Sequence, residues 1–195
     1  MFKVEIGFLN AQQVAASLGA AADQIPYALA LALNRSAEVT RNLLIRQTWP
    51  GAIHARNSSF IAASLTTRDS RASKSSLSVE IYDKLDRGNL KMQATGGTRT
   101  PKMGGNLAVP ASDIPRTAHG VPKRLRPKNL DKAFRKNGNL YIRDGKGKLK
   151  LVYALKRSTR LPKRVPFYED FEASMRRELM RTLPMAVEKA MRTRR

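Results

Sequence analysis

An α+β fold follows from two periodicities that occupy different parts of the chain. Apolar residues recur every three or four positions in residues 26–49 and again in 167–191, the spacing of one helix face. Residues 77–82 alternate apolar and polar side chains, as a half-exposed strand does, and residues 139–155 read as two strands about an Asp144-Gly145 turn. Between these lies a stretch, residues 86–115, with Gly-Gly at 96 and 104 and three prolines. Such composition favours exposed irregular chain. At 195 residues the chain fits a single domain, 1–195, within which 85–115 forms an extended loop or arm.

The elements follow in order. Phe2, Val4 and Phe8 alternate with Lys3 and Glu5, so residues 2–8 read as a short strand. Asn10 offers an N-cap for a helix to about residue 22. Pro26 suits the first turn of a second helix, since its missing N–H would be unsatisfied there anyway, and this helix runs to Trp49 with Pro50 just beyond. Leu29, Leu33, Ala37, Thr40 and Leu44 share one of its faces. The ALALAL run has strand-like alternation, but alanine is a poor strand former and the helical spacing continues past it. Residues 60–82 read as a strand pair joined by RDSRASK, with Leu77, Val79 and Ile81 facing inward.

Further along, NLAVP offers a short strand at 106–110 and residues 130–136 a short helix. The last segment is the best marked. Pro166 opens it, Glu169, Asp170 and Glu172 occupy its first turns, and Arg192, Arg194 and Arg195 close it, as the helix dipole favours. Phe167, Phe171, Met175 and Leu179 repeat every fourth residue, Leu183, Val187 and Met191 resume the stripe, and Pro184 should kink the helix. At this spacing both stripes are core faces.

Composition excludes several functions. There is no cysteine, so disulfides, thiolate zinc sites and a thiol nucleophile are unavailable. His54 and His119 stand apart, Glu169, Asp170 and Glu172 are explained by their helix start, and the Gly-Gly pairs lack the Lys-Ser/Thr ending of a phosphate loop. The residues therefore point to no enzyme, no metal and no cofactor. The opening MFKVEIGFLN does not read as a signal peptide, since no apolar run follows a basic one, and residues 10–33 are interrupted by polar residues well short of the roughly 18 apolar positions a membrane span needs.

Charge is the strongest signal. The net charge is +22, and residues 116–164 alone hold 17 Lys or Arg against Asp131 and Asp144, whereas residues 1–50 carry four basic and three acidic side chains. The candidate contact residues are Lys123, Arg124, Arg126, Lys128, Lys132, Arg135, Lys136, Lys146, Lys148 and Lys150, with Phe134 and Tyr141 nearby for stacking or packing. Three readings stay open: nucleic-acid phosphates, whose binding would fall steeply with salt; acidic surfaces of neighbouring proteins; or a solvated face that maintains solubility. No RNP aromatic motif, zinc finger or heptad-linked basic region is present.

Four stretches, in this order, resemble the minor tail protein Z family, the tail-completion proteins of long-tailed bacteriophages: IPYALALALNRSAEVTRN, LAVP after a Gly-rich loop, RPKNLDKAF, and LVYALKRSTRLPKRVPFYEDF. The resemblance spans nearly the whole chain and is weakest over 85–125. It implies an α+β fold, a small antiparallel sheet flanked by a long N-terminal helix and a long C-terminal helix. It also implies a structural virion protein of the tail or neck, assembled in the host cytoplasm, without cofactor or catalytic residue. The implied partners are the tail terminator, tail tube and connector, in a ring of about six copies, with packaged DNA as a further contact and no membrane. A basic DNA-binding protein using residues 116–164 is the alternative.

Overall fold

The computed structural model describes residues 24–86, 90–101 and 104–193, and the backbone of 2–5. The fold is α+β, with long helices near both ends and small antiparallel sheets. The chain divides into two compact units. Unit 1 comprises residues 1–94 and 164–195, and unit 2 comprises 95–163.

In unit 1, strand β1 (Phe2–Glu5) is the described part of the first expected strand, and the helix expected over 10–22 lies outside the described residues. Helix α1 (Ile25–Leu43) carries Pro26 in its first turn and buries Leu29, Leu33, Ala37 and Thr40 on the predicted face. Leu44 extends that face into a wider turn over Leu44–Thr48, where the Trp49 N–H reaches five residues back to the Leu44 carbonyl. Short helix α2 (Trp49–Ala52) follows, so Pro50 sits inside the helical run instead of beyond it. The wider turn has already broken the regular ladder, so the donor that proline lacks costs little there.

Residues 60–64 form a helical turn, α3 (Phe60–Ser64), leading into the two-residue strand β2 (Leu65–Thr66). Strand β3 (Ser78–Asp83) lies centrally in the order β1-β3-β2, with Val4 opposite Val79 and Leu65 opposite Asp83. The expected strand pair is therefore present, shortened on its first side. Helix α4 (Leu90–Thr95) precedes unit 2, and helix α5 (Phe167–Arg192) completes unit 1. Phe167, Phe171, Met175 and Val187 are buried, Leu179 and Leu183 partly so, and Met191 is exposed. α5 continues through Pro184 without ending.

The unit 1 core joins Leu33, Leu44, Ile61, Leu65, Val79, Ile81, Val165 and Phe167, with Trp49 stacked 6.0 Å from Phe167. α1 and α5 pack antiparallel. Ala28 and Ala32 meet Ala186, Val187 and Ala190, small side chains that allow close approach. Ser36 pairs with Thr182 at 3.0 Å and Thr40 with Ser174 at 2.9 Å.

Unit 2 contains a two-stranded ribbon, β4 (Gly97–Arg99) with β9 (Thr159–Leu161). Its main sheet has β5 (Leu107–Pro110), β6 (Phe134–Lys136), β7 (Asn139–Arg143) and β8 (Leu149–Lys156) in the order β5-β8-β7-β6. The LAVP strand and the Asp-Gly hairpin match expectation. The short helix expected at 130–136 does not form: Phe134–Lys136 is a strand. Asn137 (φ 48°) and Gly138 (φ 71°) make a two-residue turn that returns the chain into β7. Asn-Gly tolerates two successive left-handed residues, and this hairpin signal outweighs a seven-residue helical pattern. The 85–115 stretch, expected as an extended loop or arm, holds α4, β4 and β5, its glycines supplying the turns between short paired elements.

Candidate functional site

All ten sequence-selected cations lie in unit 2 and all are exposed. Lys123, Arg124 and Lys128 belong to two consecutive 3-10 turns, Lys123–Leu125 and Pro127–Asn129, with Arg126 extended between them. Prolines 122 and 127 start each turn, and Asn129 Nδ2 donates to the Lys123 carbonyl at 2.7 Å. The buried Tyr153 on β8 donates its hydroxyl to the Leu125 carbonyl at 2.7 Å, tying this loop to the sheet. Burial raises the Tyr153 pKa, partly offset by Arg116 and Arg126.

The other six separate further. Lys132 takes a left-handed conformation, φ 60°, in the turn before β6. Arg135 stands opposite Leu140 and Lys136 opposite Asn139, and adjacent strand positions point to opposite faces, so the two cations are divided between them. Lys146 and Lys148 sit on the tip of the β7–β8 hairpin, where the Asp144 carboxylate accepts both their backbone N–H groups at 2.9 and 2.8 Å. Lys150 forms an ion pair with Asp113 at 2.8 Å, which lowers the Asp113 pKa and raises that of Lys150. The ten cations therefore occupy one loop, the turn before β6, one hairpin tip and both sheet faces, not a single plane.

Register identifies what each face of the sheet does. One face carries Leu140, Ile142, Tyr153 and Leu155 against Ile114, Val121 and Leu130, and forms the small core of unit 2. A register shift between Leu140 and Tyr141 adds a residue to β8, which lets consecutive Val152 and Tyr153 both be buried. The opposite face pairs Phe134 with Tyr141, Tyr141 with Leu151 and Arg143 with Leu149. The Phe134 and Tyr141 rings lie side by side, centroids 6.3 Å apart, and the Arg143 guanidinium sits 5.8 Å from the Phe134 centroid. Leu149 is 42% and Leu151 37% exposed. Arg143, Leu149 and Leu151 were not among the residues selected from sequence. The signal was present in the alternations Tyr141-Arg143 and Leu149-Leu151, but assigning them to the outer face needs the register.

The remaining sequence candidates are dispersed. His54 is exposed in unit 1 and His119 in unit 2. Asp170 accepts a hydrogen bond from the Thr48 hydroxyl, a structural role at the start of α5. Among the described residues, no group of three or more His, Asp or Glu is placed to hold a metal ion, and no helix is long and apolar enough to cross a membrane. Unit 1 offers a groove of about 480 Å³ lined by Leu65, Tyr82, Asp83, Leu90, Phe167 and Tyr168. Compared with family models, curated proteins and solved structures, the chain gives no match.

Proposed function

We propose that this chain is a structural, non-enzymatic virion protein that completes a phage tail or joins tail to head, and acts by docking. The observation that carries the reading is the character of its surfaces. Unit 2 holds 18 of the 37 basic residues and three of the 15 acidic ones, a net +15, and all ten selected cations are exposed. On unit 1, α5 leaves Met180 73% and Met185 57% exposed among Arg176, Arg177 and Arg181, and flexible thioethers adapt to a partner surface.

The stretches that resemble the minor tail protein Z family build α1, β5, β8, β9 and the start of α5, so the likeness runs through the framework of both units. On this reading the chain forms a ring of about six copies, and its neighbours are the tail terminator, tail tube and connector. Quantitative mass spectrometry on particles purified from the host culture tests it. A fixed ring stoichiometry relative to the tail-tube protein is expected; absence from finished particles overturns the reading.

A further inference from the structure

The outer face of the four-stranded sheet in unit 2 joins an aromatic pair, two exposed leucines and two cations. Phe134 and Tyr141 are half-buried, present their rings side by side, and are flanked by exposed Leu149 and Leu151. The Arg143 guanidinium lies over the Phe134 ring and also donates to the Gly147 carbonyl at 3.4 Å, and Lys136 shares the face from the neighbouring row. We infer that this face binds single-stranded nucleic acid, with unpaired bases on the ring pair and leucines and phosphates on the cations around them. The inference goes beyond the assembly reading and stands independently of it.

Charge magnitude favours a polyanion over a protein partner. A standard protein interface places 20–30 residues on each side, about a quarter of them charged and of both signs, so it neutralises only a few of the 15 net positive charges of unit 2. That +15 already counts the three acids of unit 2, of which Asp113 pairs with Lys150 and Asp144 accepts backbone N–H groups of its own turn. A second copy is a poor match, because unit 1 is itself net positive at +7. A nucleic-acid strand instead supplies one negative charge per nucleotide.

The apolar centre selects the single-stranded form. A duplex turns its base faces inward and would set phosphates against Leu149 and Leu151, burying apolar surface against charge. An unpaired base offers a flat ring that covers both the aromatic pair and the leucines, and such stacking is tolerant of sequence. Arg143 and Lys136 are then positioned for backbone phosphates on the same face.

Fluorescence anisotropy of the full chain with a fluorescein-labelled oligothymidylate of about 15 nucleotides, within the usual site size, tests this at two salt concentrations. Tyr141→Ala is expected to weaken binding about tenfold, the scale of losing one stacked base, and Leu151→Gln, which leaves the charge unchanged and removes apolar contact, severalfold. Leu151 is exposed, so Leu151→Gln decides the matter should Tyr141→Ala fail to fold by circular dichroism. Both variants are expected to leave the slope of log affinity against log salt unchanged, because they remove apolar contact and not a phosphate contact. Binding unchanged by Leu151→Gln overturns the inference. So does a duplex of equal length that binds as tightly, or an oligoglutamate that competes as well as the unlabelled strand, the latter marking an acidic-protein surface. Particle stoichiometry remains a separate readout, so failure here leaves the assembly reading standing.

Discussion

The hydroxyls of Thr40 on α1 and Ser174 on α5 lie 2.9 Å apart, both fully enclosed between the two helices. One turn earlier on α1 and about two turns later on α5, Ser36 pairs with Thr182 at 3.0 Å, and Thr182 already donates to the Glu178 carbonyl at 2.7 Å. A hydroxyl has one proton, so Ser36 donates to Thr182. The longest helix pair of the chain is thus joined by a seam of small hydroxyls that must be satisfied together.

The two hydroxyls of the Thr40–Ser174 pair should be energetically coupled. Thr40→Val keeps the shape but leaves the Ser174 hydroxyl buried without its partner, a loss of about 1–3 kcal/mol. Thr40→Val with Ser174→Ala is expected to be less destabilised than the sum of the single variants. Urea denaturation in a double-mutant cycle measures the difference; strict additivity would show that the pair is not coupled.

Glu178 should make stability pH-dependent. It is buried on α5 with Arg181 at 2.7 Å and Arg177 at 3.3 Å, and the Arg181 hydrogen bond is the main cause of its lowered pKa. A folded pKa below the unfolded one gives stability that is present above the ordinary glutamate value of about 4.3 and lost as pH falls through the folded value. Melting temperatures from pH 7 to 3 are expected to fall less steeply at the acid end for Glu178→Gln than for the wild type.

Two glycines with similar backbone should respond differently to alanine. Gly96 (φ 72°) and Gly138 (φ 71°) are both left-handed, which costs alanine about 1–2 kcal/mol. A Cβ on Gly138 meets nothing within 4 Å, whereas one on Gly96 comes 3.0 Å from the Lys163 nitrogen and 3.2 Å from the Leu161 carbonyl oxygen. Gly96→Ala is expected to destabilise more, by chemical denaturation, because the β9 backbone has to move.

Tyr153→Phe should loosen one loop and spare the rest. It removes the bond to the Leu125 carbonyl while leaving the ring packed against Ile114 and Val152. Amide exchange is expected to rise in residues 122–129, with little change in α1 and α5. Equal protection in the loop would mean that its own bonds, Arg126 to Val121 and Asn129 to Lys123, are sufficient to hold it.

The parts of the fold legible in sequence are those with a repeated signal. The stripe from Leu29 to Leu44 is buried throughout, and Phe167, Phe171 and Met175 are buried in the order that their spacing set. The α+β class followed from the separation of helical and alternating stretches. Less legible were segments where a short run fits two patterns. Residues 134–136 carry too few side chains for a period to emerge, and Asn137-Gly138 held the stronger information. Composition in 85–115 reported turns correctly but not the short pairings between them, because each partner is distant in sequence, as Gly97 is from Leu161.

For the candidate site, the sequence by itself determined which side chains are available: an excess of cations over 116–164, two aromatic rings among them, and the long apolar faces that form the core of unit 1. Those properties depend on local composition and on the fixed periods of helix and strand. Tertiary structure decided how the cations divide between loop, tip and sheet faces. It also decided that Lys150 is paired with Asp113, and that Phe134, Tyr141, Leu149 and Leu151 share an exposed face. The reason is register: one extra residue in β8 reverses which side chains point outward beyond it, and that shift is settled only when the strand meets its neighbours.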